Sequence, residues 1–132
     1  MSLDAIGVAV ESIDRARDFY AHLGLELPED PEGFGHVEVT LAGGLRLMFD
    51  TFQTMESFDS SWSHVQGSTN ASLAFSFDTP DEVDAKHDEL VAAGGTSHLP
   101  PWDAFWGMRY AVLRDPDGNE LSLYASLPQS GE

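Results

Sequence analysis

The sequence contains no cysteine, which excludes disulfides, thiolate metal ligands and a cysteine nucleophile, and fits a reducing compartment, read here as the cytoplasm. Positive charge is scarce. One lysine and five arginines face 23 carboxylates, for a formal net charge of −17. Such a field repels nucleic acid and anionic membranes and draws cations, so neither nucleic acid nor a membrane is an expected partner. The surplus reads either as a solvated surface kept soluble by self-repulsion or as the setting for a cationic ligand. No apolar run approaches the ~18 residues that a bilayer span needs. The first apolar run holds Asp4 and follows no basic residues, so a secretory signal is not expected. With 132 residues, 42% of them apolar, the chain suits one globular domain, or two small modules sharing a core.

What the chain does have is clear punctuation. In PPWDAFWGMRYAVLRDPDGNELSLYAS, residues 100–126, Pro116 presets a turn φ and Gly118 accepts a positive one. DPDGN therefore predicts a tight turn between strands at 110–113 and 121–124, with its acids serving backbone geometry rather than chemistry. Upstream, Trp102, Phe105 and Trp106 fall in what reads as a Pro/Gly-bounded loop, either lining a pocket or filling a subunit contact.

From the N-terminus, AIGVAV at 5–10 alternates small and bulky residues as a strand does. The bulky face (Ile6, Val8, Val10) should meet a helix, and the small face (Ala5, Gly7, Ala9) leaves room for a pocket floor. Ser12 caps a helix with Ile13, Ala16, Phe19 and Leu23 at helical spacing, and Gly24 ends it. Extended segments follow at 25–27, 34–41 and 45–50. Residues 51–70 are rich in Ser and Thr yet carry Phe52, Phe58 and Trp62, which predicts a connection folded over the domain, with a short helix and a ring reaching the cleft. The pattern then restarts: a strand at 72–77, then Thr79-Pro80-Asp81-Glu82 as N-cap, first-turn proline and capping box. That helix carries Val83, Leu90 and Val91 on its apolar stripe and stops at Gly94-Gly95. A short strand at 96–99 leads into the aromatic loop and the hairpin. The order β-α-β-β-β thus occurs twice, with strand-to-helix junctions at Glu11 and Asp78.

WGMRYAVLRDPDGNELSLY, together with this repeat, resembles the vicinal oxygen chelate superfamily, which includes glyoxalase I, bleomycin-resistance proteins and extradiol dioxygenases. The resemblance implies an α+β fold: a single domain of two βαβββ modules, about 1–52 and 70–127, joined by the connection 51–70 and forming a cup-shaped mixed sheet around a ligand site. In metal-dependent members, one position in the first strand and one in the last strand of each module supply histidines and carboxylates. Carried onto this chain, these positions fall on Ala5 and Met48 in the first module and on Ser72 and Ser122 in the second. Glu120 is read as lying off the slot, on the opposite face. Methyl, thioether and hydroxyl groups do not make a divalent-cation site, so no metal and no cofactor are expected there.

The histidines offer little else. His36 and Glu38, two apart on a strand, form a possible ligand pair. His22 and His87 read as helix residues at or near the surface, and His98, close to the aromatic segment, is a candidate ligand contact. Recognition chemistry remains: Trp102, Phe105, Trp106 and Tyr124 for stacking, Arg109 for a carboxylate of the protein or of a ligand, and His98, Ser72, Ser122 and Met48 as further lining. The resemblance is nearest the metal-free, acidic, dimeric bleomycin-resistance branch. Sequestration of a small, cationic or aromatic molecule, antibiotics included, is the first expectation, with a homodimer as the assembly and no catalytic residue assigned. A lyase, isomerase or dioxygenase using a different set of residues, and a structural or regulatory dimer with a vestigial pocket, stay open.

Overall fold

The structure is a computed structural model and describes residues 1–64 and 71–128. The chain divides into two compact units, Met1–Val65 and Gln66–Glu132. The first unit contains β1 (Ala5–Val10), α1 (Ile13–Ala21), β2 (His36–Thr40), β3 (Arg46–Thr51) and α2 (Phe52–Phe58). Its three-stranded sheet runs β1-β3-β2, β1 parallel and β2 antiparallel to β3. Alternation decides what packs. Register aligns Val8 with Phe49 and Phe49 with Val37, and all three are buried. Against this face α1 brings Ile13, Ala16, Phe19 and Tyr20, with the Tyr20 ring 5.1 Å from Phe49. Ser12 caps α1 by accepting from the Arg15 amide at 3.2 Å. Truncating Phe49, which is wholly buried, to alanine should cost about 3–5 kcal/mol.

Residues 25–27 form no strand, which corrects the expected β-α-β-β-β order of this unit. Their polar backbone groups are spent on α1 instead: the Leu25 amide donates to Tyr20 O at 3.1 Å, and Leu27 O accepts from Arg17 Nε at 3.0 Å. Residue 51 both ends β3 and caps α2, its side chain accepting from the Thr54 amide. The connection therefore starts as a short helix. Phe52 stacks on His64 at 4.3 Å and meets Trp62 at 5.5 Å; residues 65–70 of the expected connection lie outside the described residues.

The second unit follows β-α-β-β-β: β4 (Leu73–Ser76), α3 (Pro80–Ala92), β5 (Thr96–Ala104), β6 (Met108–Arg114) and β7 (Glu120–Ser126). The sheet order is β4-β7-β6-β5, with β4 parallel to β7 and the other pairs antiparallel. Thr79 and Glu82 complete the capping box of α3. The helix buries Val83, His87 and Leu90, whereas Val91 is 42% exposed; the stripe runs at i, i+4, i+7 and passes through the histidine. The turn at 115–119 is built on Asp115, whose Oδ1 accepts from the amides of Asp117 and Asn119 at 2.8 and 2.9 Å, while Gly118 takes φ 88°. Among the described residues no helix is long and apolar enough to cross a membrane.

The aromatic segment is not a loop. Strand β5 continues through Pro100 and Pro101 to Ala104, so Trp102 is a strand residue and only 105–107 form the turn, with Gly107 at φ 85°. An edge strand tolerates proline because it has no neighbour on one side to demand the missing N–H. The pairing shifts register between Ser97 and Leu99 and again between Leu99 and Trp102.

Candidate functional site

Among the described residues, each sheet has one face on α1 or α3 and one face without that helix. In the second unit α3 holds its side through Arg109, which meets Asp84 at 2.9 and 3.0 Å, and through His87, whose Nε2 lies 2.7 Å from Ser97 Oγ. Ala111, Leu113, Leu121 and Leu123 share that side by alternation and are fully buried.

The opposite face is organised in cross-strand rows. Trp102 pairs with Tyr110, and Tyr110 with Tyr124, giving an aromatic row over β5, β6 and β7. The rings stand 5.5 Å apart and edge-on between Trp102 and Tyr110, and 6.2 Å apart and stacked between Tyr110 and Tyr124. From the turn, Trp106 folds back onto Trp102 at 6.1 Å and onto Tyr110 at 5.4 Å. Phe105 touches only Trp106 among these rings, at 5.0 Å, and is 96% exposed. The next row is Leu99, Val112, Ser122 and Ala74, and the next Thr96, Arg114 and Glu120.

Of the residues nominated from sequence, Trp102, Trp106, Tyr124 and Ser122 thus share one face. Arg109 is not on it: its guanidinium is held on the helix side by Asp84 and, at 3.0 Å, by Asp103, and these hydrogen bonds, that to Asp84 foremost, raise its pKa. His98 lies exposed at the first register shift of β5. Tyr110 was missed, although counting outward from the DPDGN turn places it opposite Tyr124. The reading of Glu120 is corrected too: it stands two residues before Ser122 on β7 and so shares its face.

In the first unit the helix-free face carries Ala5, Gly7 and Ala9 on β1, Arg46, Met48 and Asp50 on β3, and His36 and Glu38 on β2. A Cβ built on Gly7 would meet nothing within 4 Å, so the small side of β1 does leave space. Across this face runs a charge ladder. His36 Nδ1 lies 2.6 Å from Asp50 and Nε2 2.8 Å from Glu38; Arg46 then bridges Glu38, at 2.5 Å, and Asp4, at 2.6 Å. The bonds to Glu38 and then Asp50 raise the His36 pKa, and the bond from His36 and then that from Arg46 lower that of Glu38. Both ring nitrogens of His36 thus face carboxylates of the protein.

Among the described residues of this unit, two cavities stand out. One, of about 470 Å³, lies between the start of α1, the 30–35 loop and α2, lined by Ser12, Asp14, Asp30, Phe34, Thr51 and Thr54 among others. None of the sequence-nominated site residues lines it. The other, of about 390 Å³, lies along the 28–34 segment and reaches His36 and Glu38.

The sequence profile of the Glyoxalase/Bleomycin resistance protein/Dioxygenase superfamily matches residues 2–123. The chain belongs to that superfamily. A glyoxalase-related enzyme from Fulvimarina pelagi shares the fold with a TM-score of 0.79 at 20% identity, over 95% of this chain and 88% of that one. A glyoxalase/bleomycin resistance protein/dioxygenase family enzyme from Burkholderia phytofirmans PsJN aligns at 0.76 and 21%, over 96% and 100%. No curated protein matches the chain in sequence.

The superfamily's metal positions can now be read in place. Met48 pairs with Gly7, two residues after Ala5, and Ser122 pairs with Ala74, two residues after Ser72. The two positions of each unit therefore stand in the same diagonal relation. Their donor set does not fit a divalent ion: a methyl, a thioether and two hydroxyls lack the imidazoles and carboxylates that such ions need. Among the described residues no group of three or more His, Asp or Glu is arranged to hold one.

Proposed function

We propose that this superfamily member binds a small planar molecule, cationic or aromatic, on the helix-free face of its second unit and acts in the cytoplasm by sequestration without chemistry. The observation that carries the reading is the row Trp102–Tyr110–Tyr124 with Trp106 folded onto it. Rings in register over three strands, edge-on between Trp102 and Tyr110 and stacked between Tyr110 and Tyr124, form an aromatic wall, a platform against which a planar molecule can pack. The face also carries Ser122, which is buried, and, at its margin, Glu120. Ring faces attract cations as well as other rings, and the net charge of −17 favours a cation on approach. A homodimer is part of the proposal, supported by the exposure of Phe105 (96%) and Trp106 (48%) at one turn.

Titration of tryptophan fluorescence with bleomycin, at low and high salt, tests this. Stacking is worth about 0.5–1.5 kcal/mol beyond burial and a desolvated cation–π contact about 2. Trp102→Ala or Trp106→Ala should thus weaken binding roughly tenfold or more, at about 1.4 kcal/mol per decade. Added salt should weaken it further as screening shortens below ~10 Å. Parent-like binding by both variants would sink the platform reading. Salt-independent binding would remove the cation from it.

A further inference from the structure

Five of the six cations of the chain are engaged. Arg17, Arg46, Lys86 and Arg109 each hold a carboxylate, and Arg15 has a partner as well. Arg114 differs. Its Nε is closed off from solvent and has no hydrogen-bond partner, and the residue makes no ion pair among the described residues. This holds although 23 carboxylates are available in the chain and Glu120 stands directly opposite on β7. A shielded guanidinium N–H without an acceptor carries a penalty, and such a group in a folded protein calls for an explanation, a functional role or a bound water among them.

Arg114 lies on the same face as the aromatic row. Alternation along β6 places Tyr110, Val112 and Arg114 on one side, and register sets Ser122 and Glu120 beside them. From Tyr110 to Arg114 is four residues, about 13 Å along the strand. Between the two ends lie Val112 and Ser122, which bring no charge and are buried, at 8% and 4% exposure. We propose that Arg114 receives a carboxylate at one end of a ligand whose ring lies on the Trp102–Tyr110–Tyr124 row. The inference rests on the platform reading above and adds the ligand's second functional group. No hydrogen bond or ion pair to the described residues pins the guanidinium, so turning onto a carboxylate gains a paired, charge-assisted contact and relieves the orphaned donor. Arginine suits this role because its planar fork matches a carboxylate at two points. The acidic surplus does not oppose it decisively, since that field is screened over a Debye length while this contact is direct.

Two matched probes test the proposal, phenylhexanoate and the neutral phenylhexanamide, followed through the indole N–H signals of Trp102 and Trp106 by NMR. The parent should bind the carboxylate at least tenfold more tightly than the amide. Arg114→Met should abolish that preference while leaving amide affinity unchanged, which also shows that the variant is folded. Arg114→Lys should restore part of the preference. Equal binding of the two probes by the parent, or a preference that survives Arg114→Met, overturns the assignment and leaves the platform standing. A shared loss of stability in Arg114→Met and Glu120→Gln, with no carboxylate preference, would make Arg114 the partner of Glu120 instead. Failure of the amide itself to bind overturns the platform, and this inference with it.

Discussion

Gly35 is where the first unit is tightest, and alanine there should be costly in two separable ways. Its φ is +77°, and a Cβ would stand 2.2 Å from Thr54 Oγ1 and 2.7 Å from Thr51 Oγ1. The left-handed backbone alone costs an alanine about 1–2 kcal/mol. The contact adds more, because the atoms in the way are those that start α2: Thr51 Oγ1 accepts from the Thr54 amide and donates to Thr54 Oγ1 at 2.9 Å. Losing such a cap costs about 1 kcal/mol, and an off-rotamer threonine a further ~0.5–1.5. Gly35→Ala should therefore destabilise by about 3–4 kcal/mol. Gly33 provides the control, since its φ is +69° but a Cβ there meets nothing within 4 Å. Gly33→Ala should lose only the backbone part. Urea unfolding followed by circular dichroism compares the two; at slopes of about 1–3 kcal/mol/M the midpoints should differ by roughly 1 M. In a Thr54→Ala background the nearest obstructing atom is gone and the excess should shrink. If Gly35→Ala costs no more than Gly33→Ala, the close approach of the 30–35 loop to α2 is wrong.

Three further outcomes are expected. The raised pKa of His36, caused first by Glu38 and then by Asp50, means that the folded state binds the proton more tightly. Its contribution is full below the ordinary value of 6.5 and disappears as pH rises through the folded value. Parent minus His36→Gln stability should therefore be positive near pH 6 and vanish in alkali, at most about 1 kcal/mol because the pair is screened by solvent; a gap that widens with pH refutes the ladder. Elemental analysis of the purified protein should find no stoichiometric zinc, nickel, manganese or iron, and about one equivalent per chain, removable together with an activity, would overturn sequestration. Sedimentation at micromolar concentration should show a dimer, and a monomer would remove that part of the proposal.

How legible the sequence was depended on how local the signal was. The strand at 5–10, the capping box at Thr79 and Glu82 and the turn on Asp115 are each written within a few residues, and each stands as read. Residues 25–27 look extended but are tied to α1 by Arg17, a contact that no window around them displays. Pro100-Pro101 suggested a loop because proline breaks an interior strand; that β5 lies at an edge is a fact of sheet order, not of composition. Val91 was placed in the stripe of α3 because it is apolar, whereas His87 is the residue at the right spacing. The charge ladder joins Asp4, His36, Glu38, Arg46 and Asp50 through strand pairing, so it became visible only with register. Arg114 was invisible for the same reason, because having no partner is a property of the fold.

The two prolines of β5 also bear on how copies of this chain can meet. A bare strand edge is a template on which cross-β growth or a continuous intermolecular sheet can start. Here the strand lacks the amide donors of two adjacent residues, of which alternation aims only one outward, and its pairing slips twice over the same stretch, so a second chain laid alongside would find a gap in the donors and an irregular pleat. Association by strand addition is disfavoured along that stretch of the edge. A joint near it then falls to the side chains of Phe105 and Trp106 at the adjoining turn, which ties self-assembly and the outer limit of the aromatic platform to the same few residues.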